Sequence, residues 1–107
     1  MKRGDLITVS LPDHYGKPRP ALIIQSDLFD THPSITVLPI TSELRDTPLF
    51  RITIEPTKEN GLRSHSQIMI DKAHTVPRNK LSKPFGKLND ETMVVVNRAL
   101  ALFLGFA

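Results

Sequence analysis

Lys2-Arg3-Gly4-Asp5-Leu6-Ile7-Thr8-Val9, Lys17-Pro18-Arg19-Pro20-Ala21-Leu22-Ile23-Ile24 and Leu38-Pro39-Ile40-Thr41-Ser42 decide how this chain folds. The first two contain apolar strands, over 6–11 and 21–25, joined by the turn-rich segment Pro12-Asp13-His14-Tyr15-Gly16-Lys17-Pro18. The third ends a strand over 35–40 that Pro33 leads into, with loop following over 41–48. Between them, Ser26 is placed to cap one helical turn over Asp27-Leu28-Phe29. Further along, Phe50, Ile52 and Ile54 alternate with Arg51, Thr53 and Glu55, the period of a strand with one wet face. Asn60-Gly61 signals a turn, and residues 67–71 alternate again. Thr75-Val76-Pro77 is expected to end that element before a short segment over 78–81.

The period changes at the C-terminus. Leu88, Met93, Val96, Leu100, Phe103 and Leu104 recur at helical spacing. Asn89 fits the N-cap, Leu88 and Met93 a hydrophobic staple, Asp90 and Glu91 the positive helix end, and Gly105 the stop. The pattern predicts an α+β fold of five to seven short strands, a small barrel or strongly bent sheet, followed by one helix. Val94-Val95-Val96 and Ala101-Leu102-Phe103 give this helix more apolar faces than one amphipathic helix needs, which suits a second buried surface.

At 107 residues the chain has length for one modest core, and a single domain over 1–107 is expected. It has no cysteine, which excludes a disulfide framework or thiolate metal site and suits a reducing cytoplasm. Met1-Lys2-Arg3 carries the charge of a signal-peptide start, but no continuous apolar run follows, so the segment is expected to stay in the mature protein. The longest apolar stretch, 99–107, falls far short of the roughly 18 residues of a membrane span. A soluble protein is expected. Net charge is +3 and the pI about 9.5. No acidic residue lies between Asp71 and Asp90, whereas Lys72, Arg78, Lys80, Lys83 and Lys87 do, beside His74. Such a stretch is either an ordinary lysine-rich surface or a face for an anionic polymer. His32 and His65 lack metal-ligand spacing, and neither metal nor cofactor is expected.

Four blocks in order, Arg3-Gly4-Asp5, Arg19-Pro20-Ala21-Leu22, Pro39-Ile40-Thr41-Ser42 and residues 71–81 with Thr75-Val76 at their centre, resemble the MazF/PemK family of bacterial toxin ribonucleases. The resemblance covers nearly the whole chain and implies an SH3-like barrel with a C-terminal helix. It implies an endoribonuclease of a type II toxin-antitoxin system that cuts single-stranded mRNA without a metal and thereby inhibits growth. Attack of a 2′-hydroxyl on the adjacent phosphorus would leave a cyclic phosphate and a 5′-hydroxyl.

That reaction needs a proton taken, a proton supplied, and charge on the phosphoryl oxygens neutralised. Arginine suits the last task, since its planar fork can hold two phosphate oxygens. Pro18 and Pro20 restrict the backbone that aims Arg19. Thr41, at a strand end, can donate to a phosphate oxygen. Arg19 and Thr41 occupy the positions of the family's cleavage pair and are the expected catalytic residues. His14 and Asp71 are further candidates for general base or substrate contact. Lys17, Ser42, Lys72, His74, Arg78 and Lys80 are the expected RNA-binding residues. Lys72 and His74 stand where the family more often has glutamine and arginine, which bears on substrate preference. Tyr15, Phe29 and Phe50 are candidates for base stacking, with Phe50 better suited to the core.

Two other functions fit the same pattern. One is a non-catalytic toxin on this fold that binds a protein such as DNA gyrase, as the CcdB toxins do. The other is a basic barrel that only binds nucleic acid. An Arg19 and Thr41 pair favours cleavage, because a binder requires neither at those positions. The resemblance further implies a cytoplasmic homodimer that places RNA across its subunit interface and is silenced by an antitoxin whose acidic, flexible tail fills that groove.

Overall fold

Runs of apolar side chains build a sheet whose first three strands, at its centre, are buried on both faces. The computed structural model describes residues 1–10 and 17–106. Within them run β1 (Asp5–Val9), β2 (Arg19–Ile23), β3 (Ser34–Thr41), β4 (Arg51–Ile54), β5 (Ser66–Met69), β6 (His74–Pro77), β7 (Gly86–Lys87) and the helix α1 (Asp90–Leu104). The strands form one antiparallel sheet in the order β4-β5-β3-β2-β1-β7, with β6 also paired to β3. This curled sheet with a C-terminal helix is the α+β architecture that the periodicities predict.

Strand β3 organises the sheet because it is long enough to serve several partners. One edge pairs with β2, Ala21 opposite Pro39. The other pairs first with β6, through Ser34 to Val37, and then with β5, through Ile40 and Thr41. Pro39, which has no N–H to donate, stands where that edge passes from one partner to the other, a position a central strand can tolerate. The sheet then curls back on itself. Val9 bridges to Leu81, and Ser10 N–H donates to Lys80 O at 3.1 Å, bringing the segment after β6 against β1.

Two cores result. Ile7, Val9, Ala21, Ile23, Ile35, Val37 and Val76 fill the inside of the curl, with Leu81 packed against them. Leu6, Leu22, Leu38, Ile40, Ile68 and Ile70 face the other way and meet Leu88 and Val96 beside the helix. Neighbouring residues of β1, β2 and β3 are thus buried on opposite faces, which is why those strands read as apolar runs rather than clean alternation.

The helix begins where its sequence signals place it. Asn89 Oδ1 accepts from Thr92 N–H at 2.8 Å, and Leu88 and Met93 both pack into the outer core. Gly105, at φ +85°, closes it. Likewise Ser26 caps a single turn of 3₁₀ helix at Asp27–Phe29. Arg3 ties these parts together: its Nε donates to Ile24 O at 2.9 Å, its Nη2 to Asn97 Oδ1 at 2.7 Å, and its N–H to Asp27 Oδ1 at 2.7 Å. Within the Arg3-Gly4-Asp5 block, Asp5 Oδ2 also accepts from Lys2 N–H at 2.8 Å. This block therefore holds the fold rather than a substrate.

The alternating segment after Asn60-Gly61 ends sooner than its pattern suggests. Strand β5 stops at Met69, a 3₁₀ turn covers Ile70–Lys72, and His74–Pro77 is a strand of its own, followed by a second such turn at Arg78–Lys80. The break lets β5 and β6 bind different stretches of the same edge of β3.

Candidate active site

The start of β2 and the end of β3 lie side by side. Ala21 faces Pro39. Arg19 begins β2 and Thr41 ends β3, each two residues beyond that pair. Both line one groove of about 870 Å³, together with Thr8, Pro18, Pro20, Ser42 and Glu43. The opposite wall comes from far along the chain: Gly61, Leu62, Arg63, Ser64, Ser66, Met69 and Phe85.

Thr41 is held with its donor available. Its Oγ1 accepts from Glu43 N–H at 3.0 Å, so the hydroxyl proton can go to a ligand oxygen. Opposite Thr41 in the β3–β5 ladder sits Gln67, a buried amide. Its Oε1 accepts from Arg45 N–H at 3.0 Å and Arg51 Nη1 at 3.2 Å; its Nε2 donates to Arg45 O at 2.9 Å and Thr53 Oγ1 at 3.1 Å. Arg51 Nη1 also donates to Glu43 O at 2.8 Å. A buried amide so well satisfied is costly to move, and it fixes the segment that leaves Thr41.

The far wall is clamped by backbone. A Cβ at Gly86 would lie 2.2 Å from Asn60 O and 2.8 Å from Glu59 O, so only glycine fits there. Buried Asn60 accepts at Oδ1 from Thr57 N–H and Leu62 N–H, at 2.9 and 3.0 Å, and donates from Nδ2 to Glu55 O at 2.8 Å. Gly61 has φ +67° and lies against Phe85, which leaves no room for a side chain.

Two cations, Arg19 and Arg63, line the groove among the described residues, and Glu43 is the acid. Glu43 Oε1 takes a hydrogen bond from Arg45 Nη2 at 2.9 Å. That bond, with the arginine charge behind it, holds the Glu43 carboxyl below the usual carboxylate range. The groove therefore gathers two guanidiniums, one carboxylate and several hydroxyls, Thr41 among them.

A family model described as "PemK-like, MazF-like toxin of type II toxin-antitoxin system" matches residues 2–104. The chain belongs to the PemK/MazF toxin family. It is 51% identical to the probable endoribonuclease MazF of Mycolicibacterium smegmatis, over all of this chain and 99% of that protein. It is 28% identical to the endoribonuclease EndoA of Bacillus subtilis, over 97% and 94% of the two chains. The fold is that of an endoribonuclease solved in complex with its cognate antitoxin from a mycobacterial species, with a TM-score of 0.83 at 22% identity, covering 100% of this chain and 97% of that one. It is also that of a chain in a MazE-MazF crystal structure from Deinococcus radiodurans, with a TM-score of 0.77 at 18% identity, covering 100% of this chain and 98% of that one. The PemK/MazF membership bears out the resemblance in the four sequence blocks, and a CcdB-like, non-catalytic reading is not favoured.

Of the residues that the resemblance to PemK/MazF toxins singles out, Arg19, Thr41 and Ser42 line the groove. Lys17 is exposed just before Pro18, a groove residue. Residues 71–80 lie elsewhere, on and around β6. Asp71 Oδ1 is buried with no hydrogen-bond partner among the described residues, while its Oδ2 is 3.8 Å from Lys72 Nζ. His74 Nδ1 lies 3.1 Å from Lys72 O. Arg78 donates from Nε to His32 O at 3.1 Å and from Nη2 to Asp30 O, joining the 3₁₀ turn after β6 to the loop after β2. Lys80 is exposed on that same turn. The acid-free stretch is thus spread around the molecule rather than gathered in the groove. His14 and Tyr15 lie outside the described residues. Phe50 is half-buried against the outer core, and Phe29 is exposed away from the groove lining.

Sequence reading missed Arg63, Phe85 and Gln67. The Asn60-Gly61 signal marked the turn that carries the first, but nothing local says which groove that turn faces.

Proposed function

We propose that this protein is a sequence-specific endoribonuclease toxin, one domain over residues 1–107, that cuts single-stranded RNA without a metal ion. The observation that supports the reading is that Arg19, at the start of β2, and Thr41, at the end of its partner β3, line one groove. In the reaction the 2′-hydroxyl oxygen bonds to the adjacent phosphorus and the bond from phosphorus to the 5′-oxygen breaks. The products are a 2′,3′-cyclic phosphate and a 5′-hydroxyl. Arg19 holds the non-bridging oxygens as their charge grows, and Thr41 donates its hydroxyl proton to one of them. A base must take the 2′ proton, and the leaving oxygen must receive one. His14, in the segment that leads to Arg19, is the candidate for this exchange, with Asp71 as a substrate contact. Lys17 and Ser42 flank the groove and serve the neighbouring phosphates, while Lys72, His74, Arg78 and Lys80 guide RNA beyond it.

The active unit is a cytoplasmic homodimer. Val94, Val95, Leu102 and Phe103 remain exposed on α1, an apolar surface that a second copy would cover. A cognate antitoxin would silence the toxin by laying an acidic, flexible tail in the groove against Arg19 and Arg63, favoured by the net charge of +3.

The test is incubation with a long RNA in EDTA, followed by mapping of 5′ ends. Wild type should give discrete fragments with 5′-hydroxyl ends. Arg19→Ala should cut about 100-fold or more slowly, the loss typical of removing one charge-stabilising donor. Equal cutting by Arg19→Ala would overturn the mechanism, and RNA that is shifted but intact would point to a binder.

A further inference from the structure

The groove extends past the cleavage pair to a wall that the chemistry does not use. We infer that Phe85 on this wall, with Arg63 beside it, forms a nucleobase-binding subsite for an unpaired base next to the scissile phosphate. The inference rests on the RNA-cleavage reading and adds where the substrate's base is held.

Phe85 is the aromatic side chain among the described residues that line the groove, and it is 39% exposed. A ring half out of water in a concave site offers a face to a flat ligand. It is also held in place. Phe85 N–H donates to Leu6 O at 2.9 Å, the next residue Gly86 is clamped on Asn60, and a Cβ at Gly61 would lie 3.1 Å from the ring's Cδ1. A platform fixed by backbone gives stacking at little cost in side-chain ordering. Stacking on an aromatic ring is the contact any unpaired base can make.

Arg63 supplies what stacking lacks. It is exposed on the same wall, and among the described residues it has no ion-pair partner, so its guanidinium can meet the phosphate of the stacked nucleotide or lie over the base. Ser64 and Ser66 stand beside it. Buried Ser66 Oγ donates to Ser64 O at 3.0 Å, which holds the backbone that carries the exposed Ser64 hydroxyl on this wall.

The experiment uses RNA spanning a mapped cleavage site, made uncleavable by a 2′-deoxy nucleotide at the cut. Abasic residues replace each flanking base in turn. Affinity is measured for the full chain as wild type, Phe85→Leu, Phe85→Trp and Arg63→Gln, with thermal melting as a check that each variant is folded. In wild type, removing the base on one side of the cut should weaken binding about tenfold. Phe85→Leu should weaken the intact RNA by a similar factor and be indifferent to that abasic change, while Phe85→Trp should keep wild-type behaviour. Arg63→Gln should weaken every RNA of the set several-fold. If the abasic penalty is the same in wild type and Phe85→Leu, the subsite is wrong even though RNA is cut. Should wild type neither cut nor bind RNA, the cleavage reading fails and takes this inference with it.

Discussion

A threonine whose oxygen already accepts a backbone hydrogen bond can still donate, which is the part proposed for Thr41 beside its capping of the loop. Thr41→Val keeps the shape and removes both the cap and the donor, so single-turnover cleavage should fall by about 10²-fold while RNA affinity changes much less. Thr41→Ser should retain most of the rate. Glu43 acts in the opposite sense, as a carboxylate on the groove proposed to take the RNA phosphate. Its folded-state pKa is depressed, so the charge is present above the ordinary carboxylate range and is lost only as pH falls through the lowered value. Glu43→Gln should therefore bind RNA a few-fold more tightly at neutral pH and low salt, with the gap closing in acid and in high salt. Fluorescence anisotropy against pH and salt would measure both. Arg19 and Thr41 were legible because each sits in a short block that identifies itself. Arg63, Phe85 and Gln67 were not, because each acquires its place from chain tens of residues away.

Elements show the same division between local and distant causes. Ser26, Asn89, Gly105 and the alternation of residues 50–55 act on their own neighbours, and each reads correctly. The separate strand β6 does not, since Thr75 and Val76 look like the tail of the preceding element until β3 is there to pair with them. The clamp between Gly86 and Asn60 is equally silent in sequence, although it sets the position of the groove's far wall. Gly86→Ala forces a Cβ into backbone atoms, and the turn at 57–61 has to move. A loss of about 2 kcal/mol in urea unfolding is expected. Cleavage should drop even under conditions where the variant is fully folded, because Arg63 and Phe85 move with that turn.

At the scale of the molecule, the sheet spends its apolar residues on two cores and still leaves Val95 and Leu102 about half exposed on α1. Their excess over what one amphipathic helix needs was visible in the sequence, whereas the two-sided burial of β1, β2 and β3 took the pairing to explain. If α1 is where two copies meet, Leu102→Glu should shift the mass in analytical ultracentrifugation from dimer to monomer at micromolar concentration. The same change should barely alter the monomer's own fold, because the residue packs on neither core.

The sharing of β3 between partners reaches further than the groove. From beyond the loop between β3 and β4, β5 and β6 pair with β3 and β7 pairs with β1, with Arg19 and Thr41 on one side of the divide and Arg63 and Phe85 on the other. A protease nick in the loop would separate two pieces that each lack an edge only the other can supply. Supplied apart, they would be harmless halves of a poison, reconstituted by mixing.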